Sequence, residues 1–156
     1  MIWDLFGNEA KRLEKTWNVS QRLMLQLDRK THRYFIEPLS KTQHIIFSLY
    51  KRFISFTKKL SLSKKAPLRH LFHVVKNDCG STTGSNLRKL MLRFHIDTPG
   101  NLNADVVSNS KYHETPVGVE WKIVVAKELI DAINGDIIIP QFTTKELRLI
   151  LDYLTT

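Results

Sequence analysis

Apolar residues along this chain recur at spacings of three, four and seven, the mark of helices that bury one face. Phe6, Ala10, Leu13, Trp17, Met24 and Leu27 share one stripe and predict a first helix over residues 8–27. Asp4 and Asn8 are candidate caps, since each side chain can accept from the free N–H groups of a first turn. The stretch 31–40, THRYFIEPLS, reads as a short helix or turn and then a break, because Pro38 has no N–H and restricts Glu37. The clearest amphipathic element follows. Ile45, Ile46, Leu49, Phe53, Phe56 and Leu60 lie on one side, with Gln43, Ser48, Arg52, Ser55 and Lys59 mostly opposite. This predicts a helix over 41–60.

After a polar link at 61–65, Pro67 suits the first turn of a third helix that buries Leu68, Leu71, Phe72 and Val75. The turn chemistry of NDCGSTTGSN, 77–86, interrupts it, and Ser81 or Thr82 can cap a fourth helix with Leu87, Leu90, Met91 and Phe94 inward. Residues 97–118 form the longest irregular stretch and read as a functional loop or linker. A helix over 118–133 places Trp121, Val124, Val125, Leu129 and Ala132 inward, and Asn134-Gly135 ends it. Pro140 limits 136–142 to a short extended segment. Thr143 and Glu146 have capping-box spacing, opening a last helix with Leu147, Ile150, Leu151 and Leu154. The expected fold is all-α: an irregular bundle of about five to seven helices, with at most one short extended segment near 136–140. The expected organisation is a basic helical domain at 1–96, a loop or linker at 97–118, and a small C-terminal helical subdomain at 119–156.

Charge changes this picture from architecture to partners. The chain has 156 residues, 42% of them hydrophobic, and a net charge of +9. Residues 1–100 carry 19 basic and 7 acidic side chains, whereas 101–156 carry 5 and 8. No acidic residue lies between Glu37 and Asp78, where Lys41, Lys51, Arg52, Lys58, Lys59, Lys64, Lys65, Arg69 and Lys76 fall. Such asymmetry suggests a polyanion for the basic half. A membrane surface, an acidic protein and a plain solvated face are the alternatives. Cys79 is the only cysteine, so no intramolecular disulfide can form, which fits a reducing compartment. No stretch reaches the length of about 18 apolar residues that a membrane span needs. The opening MIWDLFGNEAKRLEK turns charged too early for a secretory signal. The expected location is intracellular, nuclear or cytoplasmic.

Catalytic signatures are missing from the sequence. It has no Gly-x-Gly-x-x-Gly and no phosphate loop, and DCGSTTGSN lacks the lysine and the preceding strand. His70 and His73 are three apart on a helix, yet no further ligand joins them at metal spacing, so they read as basic groove residues. Cys79 has no assigned base. No acidic pair is spaced for two-metal chemistry. The expectation is a non-enzyme with no metal or cofactor. What remains is a basic region interleaved with aromatics: THRYF at 31–35 and LYKRFISFTKK at 49–59. Cations neutralise phosphates and aromatic faces stack on bases. The candidate contacts are Arg22, Arg29, Lys30, His32, Arg33, Tyr34, Lys51, Arg52, Lys58, Lys59, Lys64, Lys65, Arg69, Arg88 and Lys89. Phe53 and Phe56 fall on the apolar stripe and are expected in the core.

The strings WDLFGNEAKRLEKTWNVSQRLM, THRYFIEPLS, HIIFSLYKRFISF and NDCGSTTGSNLRKLML resemble the region after the palm in non-LTR (LINE-type) retrotransposon reverse transcriptases: a helical thumb and the segment beyond it. The ending, EWKIVVAKELIDAINGDIIIPQF with TTKELRLILDYL, is similar to the tail of such reading frames. The matching residues are Trp17, Asn18, Arg22, Thr31, His32, Arg33, Pro38, Leu39, His44, Lys51, Arg52, Phe53, Thr83, Gly84, Asn86 and Leu87. Where Cys79 stands, the family often has Arg, so this chain has one cation fewer in that turn. The resemblance implies a thumb-like piece that holds RNA, DNA or an RNA–DNA hybrid. It also implies the rest of a reverse transcriptase as a partner chain. The family's polymerase aspartates lie in a Tyr/Phe-x-Asp-Asp signature that this sequence does not contain. A protein-interaction scaffold, or a mobile-element relic without independent activity, is the alternative.

Overall fold

The structure is a computed structural model that describes residues 3–31, 33–111, 116–137 and 142–155, without the side chains of Tyr34 and of 116–124. The fold is all-α, and no strand occurs among the described residues. Among the described residues eight α-helices run in order: α1 (Asn8–Met24), α2 (Ile36–Ser40), α3 (Ile45–Ser61), α4 (Ala66–Val75), α5 (Thr82–Arg93), α6 (Ala104–Ser108), α7 (Pro116–Ile133) and α8 (Thr144–Thr155). Six of them have ten or more residues; α2 and α6 have five each. Single 3-10 turns precede α2, at Arg33–Phe35, and α6, at Pro99–Asn101.

Two compact units divide the chain, and they interleave in sequence. Unit 1 is Met1–Lys15 with Ile45–Ser110; unit 2 is Thr16–His44 with Lys111–Thr156. The expected division into 1–96, 97–118 and 119–156 runs along the chain, whereas the compact units run across it.

In unit 1, α3 packs against α4 and α6. Its inward face is wider than the predicted stripe: Ile46, Phe47, Tyr50, Phe53, Ile54 and Thr57 are buried, while Phe56 stays exposed. Each such apolar side chain contributes about 1.5–3 kcal/mol through removal from water. Tyr50 gathers Phe6, Phe47 and Phe94 at centroid distances of 5.7, 5.9 and 6.2 Å. Ser81 caps α5 by accepting from the Gly84 N–H at 3.0 Å. Asn86, fully buried, accepts from the Leu5 N–H at 3.1 Å and donates to the Trp3 carbonyl at 2.7 Å. It thereby holds the segment before α1 against α5. A Cβ on Gly84 would collide with the Asp78 carbonyl oxygen and lie 2.6 Å from that of Val75, so only glycine fits there.

In unit 2, α8 packs on α7 and α2. Its core is Val125, Leu129, Leu147, Ile150 and Leu154. Phe35 meets Phe142 edge-on at 5.8 Å. The Thr143–Glu146 capping box forms both ways: the Thr143 N–H donates to Glu146 Oε2 at 3.1 Å, and the Glu146 N–H to Thr143 Oγ1 at 3.3 Å. A buried polar chain runs beside the core. Glu37 accepts from the His44 N–H at 2.7 Å and from the Tyr153 hydroxyl. The His44 ring N–H donates to Asn18 Oδ1 at 3.3 Å, and Trp17 packs edge-on to that ring at 4.5 Å.

Several boundaries differ from the sequence expectation. The first helix stops at Met24 rather than 27, because Gln26 turns left-handed (φ 55°) and the Leu27 N–H reaches back to the Arg22 carbonyl at 2.8 Å. Met24, expected inward, is 76% exposed. Pro38 does not break a helix. It sits third in α2, in the first turn, where a missing N–H costs no helical bond, and Glu37 is helical. The helix expected over 41–60 begins at Ile45, since Lys41 is left-handed (φ 56°) and closes α2. Leu68 and Leu71 on α4 are exposed; Phe72 alone is buried there. The stretch 97–118 is not irregular throughout. It contains the Pro99–Asn101 turn, α6 with buried Val107, and the start of α7 at Pro116. Gly135 (φ +83°) ends α7 as expected. The inward placement of Trp121 and Val124, and residues 138–140 of the expected extended segment, lie outside the described residues.

Candidate nucleic-acid interface

The basic candidates separate into the two units. Lys51, Arg52, Lys58, Lys59, Lys64, Lys65, Arg69, Arg88 and Lys89 belong to unit 1; Arg22, Arg29, Lys30, His32, Arg33 and Tyr34 belong to unit 2.

In unit 1 the surface is built on α3. Burying Phe53, Ile54 and Thr57 turns Arg52, Ser55, Lys58 and Lys59 outward, and Lys51 is half-buried at the edge. Lys64 and Lys65 extend the row through the α3–α4 link, both exposed. Arg52, Lys58, Lys59, Lys64 and Lys65 make no ion pair with any described residue, as the acid-free run from 38 to 77 leads one to expect. Arg69 continues the row on α4, its guanidinium held by the Ser63 carbonyl at 2.9 Å. Unpaired cations in water lose little by staying so, but each can neutralise a phosphate and release a counterion. A hollow of about 560 Å³ opens between α3, α4 and the 99–104 segment, with Lys58, His73 and Lys76 on its walls. His73 lines this hollow; His70 is exposed on the same helix but does not line it.

On α5, Arg88 and Lys89 are exposed. Arg88 donates to the Cys79 sulfur at 3.2 Å, and Lys89 sits 5.6 Å from the Phe6 ring centre. Arg93, which the sequence reading did not single out, lies 5.3–5.9 Å from the ring centres of Phe47, Tyr50 and Phe94. Such a cation is stabilised by the rings and is part of the packing. Burial raises the Tyr50 pKa above its ordinary value; Arg93 opposes the shift and Glu14 adds to it.

In unit 2 the arrangement is different. Arg22 is half-buried, and its Nε donates to the Thr31 carbonyl at 2.9 Å, tying the end of α1 to the following loop. Burial, and then the charge of Arg33, lower its pKa from the usual guanidinium value. Arg29 and Lys30 are exposed, with the Lys30 N–H in a turn on Asp28 Oδ1 at 2.7 Å. Arg33 is half-buried in the 3-10 turn. His32 and the Tyr34 side chain lie outside the described residues.

Many residues that carry the reverse-transcriptase resemblance occupy the interior. Asn18, Thr31, Pro38, His44, Phe53, Thr83, Gly84, Asn86 and Leu87 are buried. Asn18 Oδ1, His44 Nε2 and both amide groups of Asn86 are engaged in the internal bonds described above, which gives these residues a part in the packing.

Among the described residues no helix is long and apolar enough to cross a membrane, and no three His, Cys, Asp or Glu side chains converge as metal ligands. The fold and surface define an all-α protein whose unit 1 presents a row of cations that make no ion pair with a described residue. No protein-family model, curated protein or solved structure matches the chain.

Proposed function

We propose that the chain binds nucleic acid through the α3–α4 face of unit 1, as a thumb-like, non-catalytic piece of a retroelement reverse transcriptase. The observation that carries this reading is the row Arg52, Lys58, Lys59, Lys64 and Lys65: exposed, of one sign, and without an ion pair to a described residue. A row of exposed cations along one helix and its link can neutralise several backbone phosphates. It reads charge and not base sequence. RNA, DNA and RNA–DNA hybrid are all ligands on this reading, and the affinity falls steeply with salt. Electrophoretic shift titrations at several salt concentrations test it. Retardation at low salt that fades as salt rises is expected; no retardation at low salt overturns it. Charge reversal at Lys51, Arg52, Lys58 and Lys59 weakens binding far more than reversal at Lys122 and Lys127.

A second reading has one observation in its favour. Leu68, Leu71 and Val74 repeat every three residues along α4, and the last two are each 58% exposed. Leu62 is exposed just before the helix. Apolar surface of this kind marks protein contacts. On that reading the chain is a helical interaction module. Size-exclusion chromatography separates the two: self-association without nucleic-acid affinity favours the module.

A further inference from the structure

The hollow between α3, α4 and the 99–104 segment differs from the rest of the basic face, because it is concave and has an apolar floor. Its walls carry Lys58 from α3 and His73 and Lys76 from α4, and none of its lining residues is acidic. These three side chains make no hydrogen bond or ion pair with a described residue. Phe72 and Leu102, both buried, form part of the floor. Asn103 stands at one side. Its Oδ1 accepts from the Val106 N–H at 3.1 Å, which fixes the amide and leaves its Nδ2 free to donate.

The ammonium groups of Lys58 and Lys76, from two helices around one hollow, repel one another until an anion enters, and the His73 ring adds a hydrogen-bonding group beside them. An apolar floor gains nothing from a bare anion, so the fitting ligand carries a negative group on a flat, poorly hydrated body. The amide at the side asks for a hydrogen-bond acceptor on that body. A volume of about 560 Å³ lies within the usual range of small-molecule sites, about 300–1,000 Å³. From this combination we infer that the hollow takes one unstacked nucleotide, its phosphate between Lys58, His73 and Lys76 and its base over Phe72 and Leu102. This rests on the nucleic-acid reading for its biological ligand but not for its chemistry. A duplex keeps its bases stacked, and a single strand can splay one out. The hollow therefore adds a preference for single strands to the sequence-blind affinity of the α3 row.

The test uses adenosine monophosphate, inorganic phosphate, an eight-nucleotide oligo(dA) and a blunt duplex on the full chain. Amide chemical shifts are followed by NMR, and binding of the two oligonucleotides by fluorescence anisotropy. Adenosine monophosphate should saturate shifts at His73, Gly100 and Leu102, and phosphate should need at least tenfold higher concentration. Gly100→Trp adds an indole at a residue that lines the hollow, where a Cβ meets nothing within 4 Å. The variant should lose at least tenfold affinity for the mononucleotide and the single strand, with duplex affinity held within twofold. His73→Glu, at an exposed position, should lose at least tenfold for the mononucleotide. The inference is overturned if phosphate matches the mononucleotide, if the shifts miss the hollow, or if both variants bind as the parent does. If the mononucleotide saturates the hollow while the duplex fails to bind, the inference stands and the backbone-binding reading falls.

Discussion

Unit 1 carries 14 basic and 6 acidic residues, a net of +8, and unit 2 carries 10 and 9, a net of +1. The two also use charge differently. In unit 1 Arg52, Lys58 and Lys59 on α3 are exposed and make no ion pair with a described residue, and neutral Asn86 and Ser81 supply internal hydrogen bonds. In unit 2 ionisable side chains are built into the structure: Glu37 accepts from His44 and Tyr153, Arg22 donates to Thr31, and Lys111 donates to the Tyr153 carbonyl at 3.2 Å. A hydrogen bond to a carbonyl holds a cation in place without cancelling its charge, so the units differ in net charge and in how firmly their cations are held. The excess of positive charge therefore follows unit 1 of the fold more closely than the first hundred residues of the chain. Arg22, Arg29, Lys30 and Arg33 count as basic in the sequence but fall in the nearly balanced unit.

Perturbing one unit at a time sharpens this contrast. The largest expected effect is in unit 2, where Leu129→Ala empties a fully buried position between α7 and α8. It should cost about 3 kcal/mol in denaturant unfolding, with hydrogen-exchange protection lost mainly in α7 and α8. Nucleic-acid affinity at low temperature should be retained; a parallel loss of affinity would break the assignment of binding to unit 1. In unit 1, Asn86→Ala strands the Leu5 N–H and the Trp3 carbonyl, and should cost about 2 kcal/mol, read from the denaturation midpoint. A smaller effect of opposite sign is expected at His95, left-handed (φ 54°) after α5. His95→Gly should stabilise by about 1 kcal/mol, because a side chain is disfavoured in that conformation.

The smallest effect is a pH dependence in unit 1. Burial raises the Tyr50 pKa above 10.0, so the folded state favours the neutral phenol. Its contribution is full below the unfolded value, about pH 10, and is lost as pH rises through the higher native value. Tyr50→Phe should therefore behave like the parent at pH 7 and resist alkaline unfolding better. Thermal melts at pH 7 and pH 11 check this; equal alkaline loss in parent and variant would assign the effect elsewhere.

The sequence reveals what local periodicity and capping dictate. The α8 capping box, the Ser81 cap, Pro67 near the start of α4 and Gly135 after α7 all follow from residue types with one dominant use. Helix ends without such residues were not legible. Gln26, Lys41 and His95 adopt left-handed backbone with no glycine to announce it, so periodicity alone carries α1 past Met24 and starts α3 before Ile45. Burial on α3 exceeds the apolar stripe, because Phe47, Tyr50 and Ile54 extend it where α4 and α6 cover a second side. The candidate site shows the same division. The sign of the α3 row follows from composition alone. That Arg22 is bonded to Thr31, and that His73 and Lys76 meet Lys58 around one hollow, depends on tertiary packing that no local pattern encodes.

The most direct measurement is the salt dependence of duplex DNA affinity for the parent chain and for the triple variant Arg52→Glu, Lys58→Glu, Lys59→Glu. The log–log slope reports the number of phosphates neutralised, at about 0.9 per contact on B-DNA. Binding by the parent at low salt is expected. The slope should be shallower by about 2.7 in the variant if all three contacts are lost, with an unchanged circular dichroism spectrum. A parent that does not bind at low salt, or a variant whose slope and affinity match the parent's, would contradict binding through the α3 row.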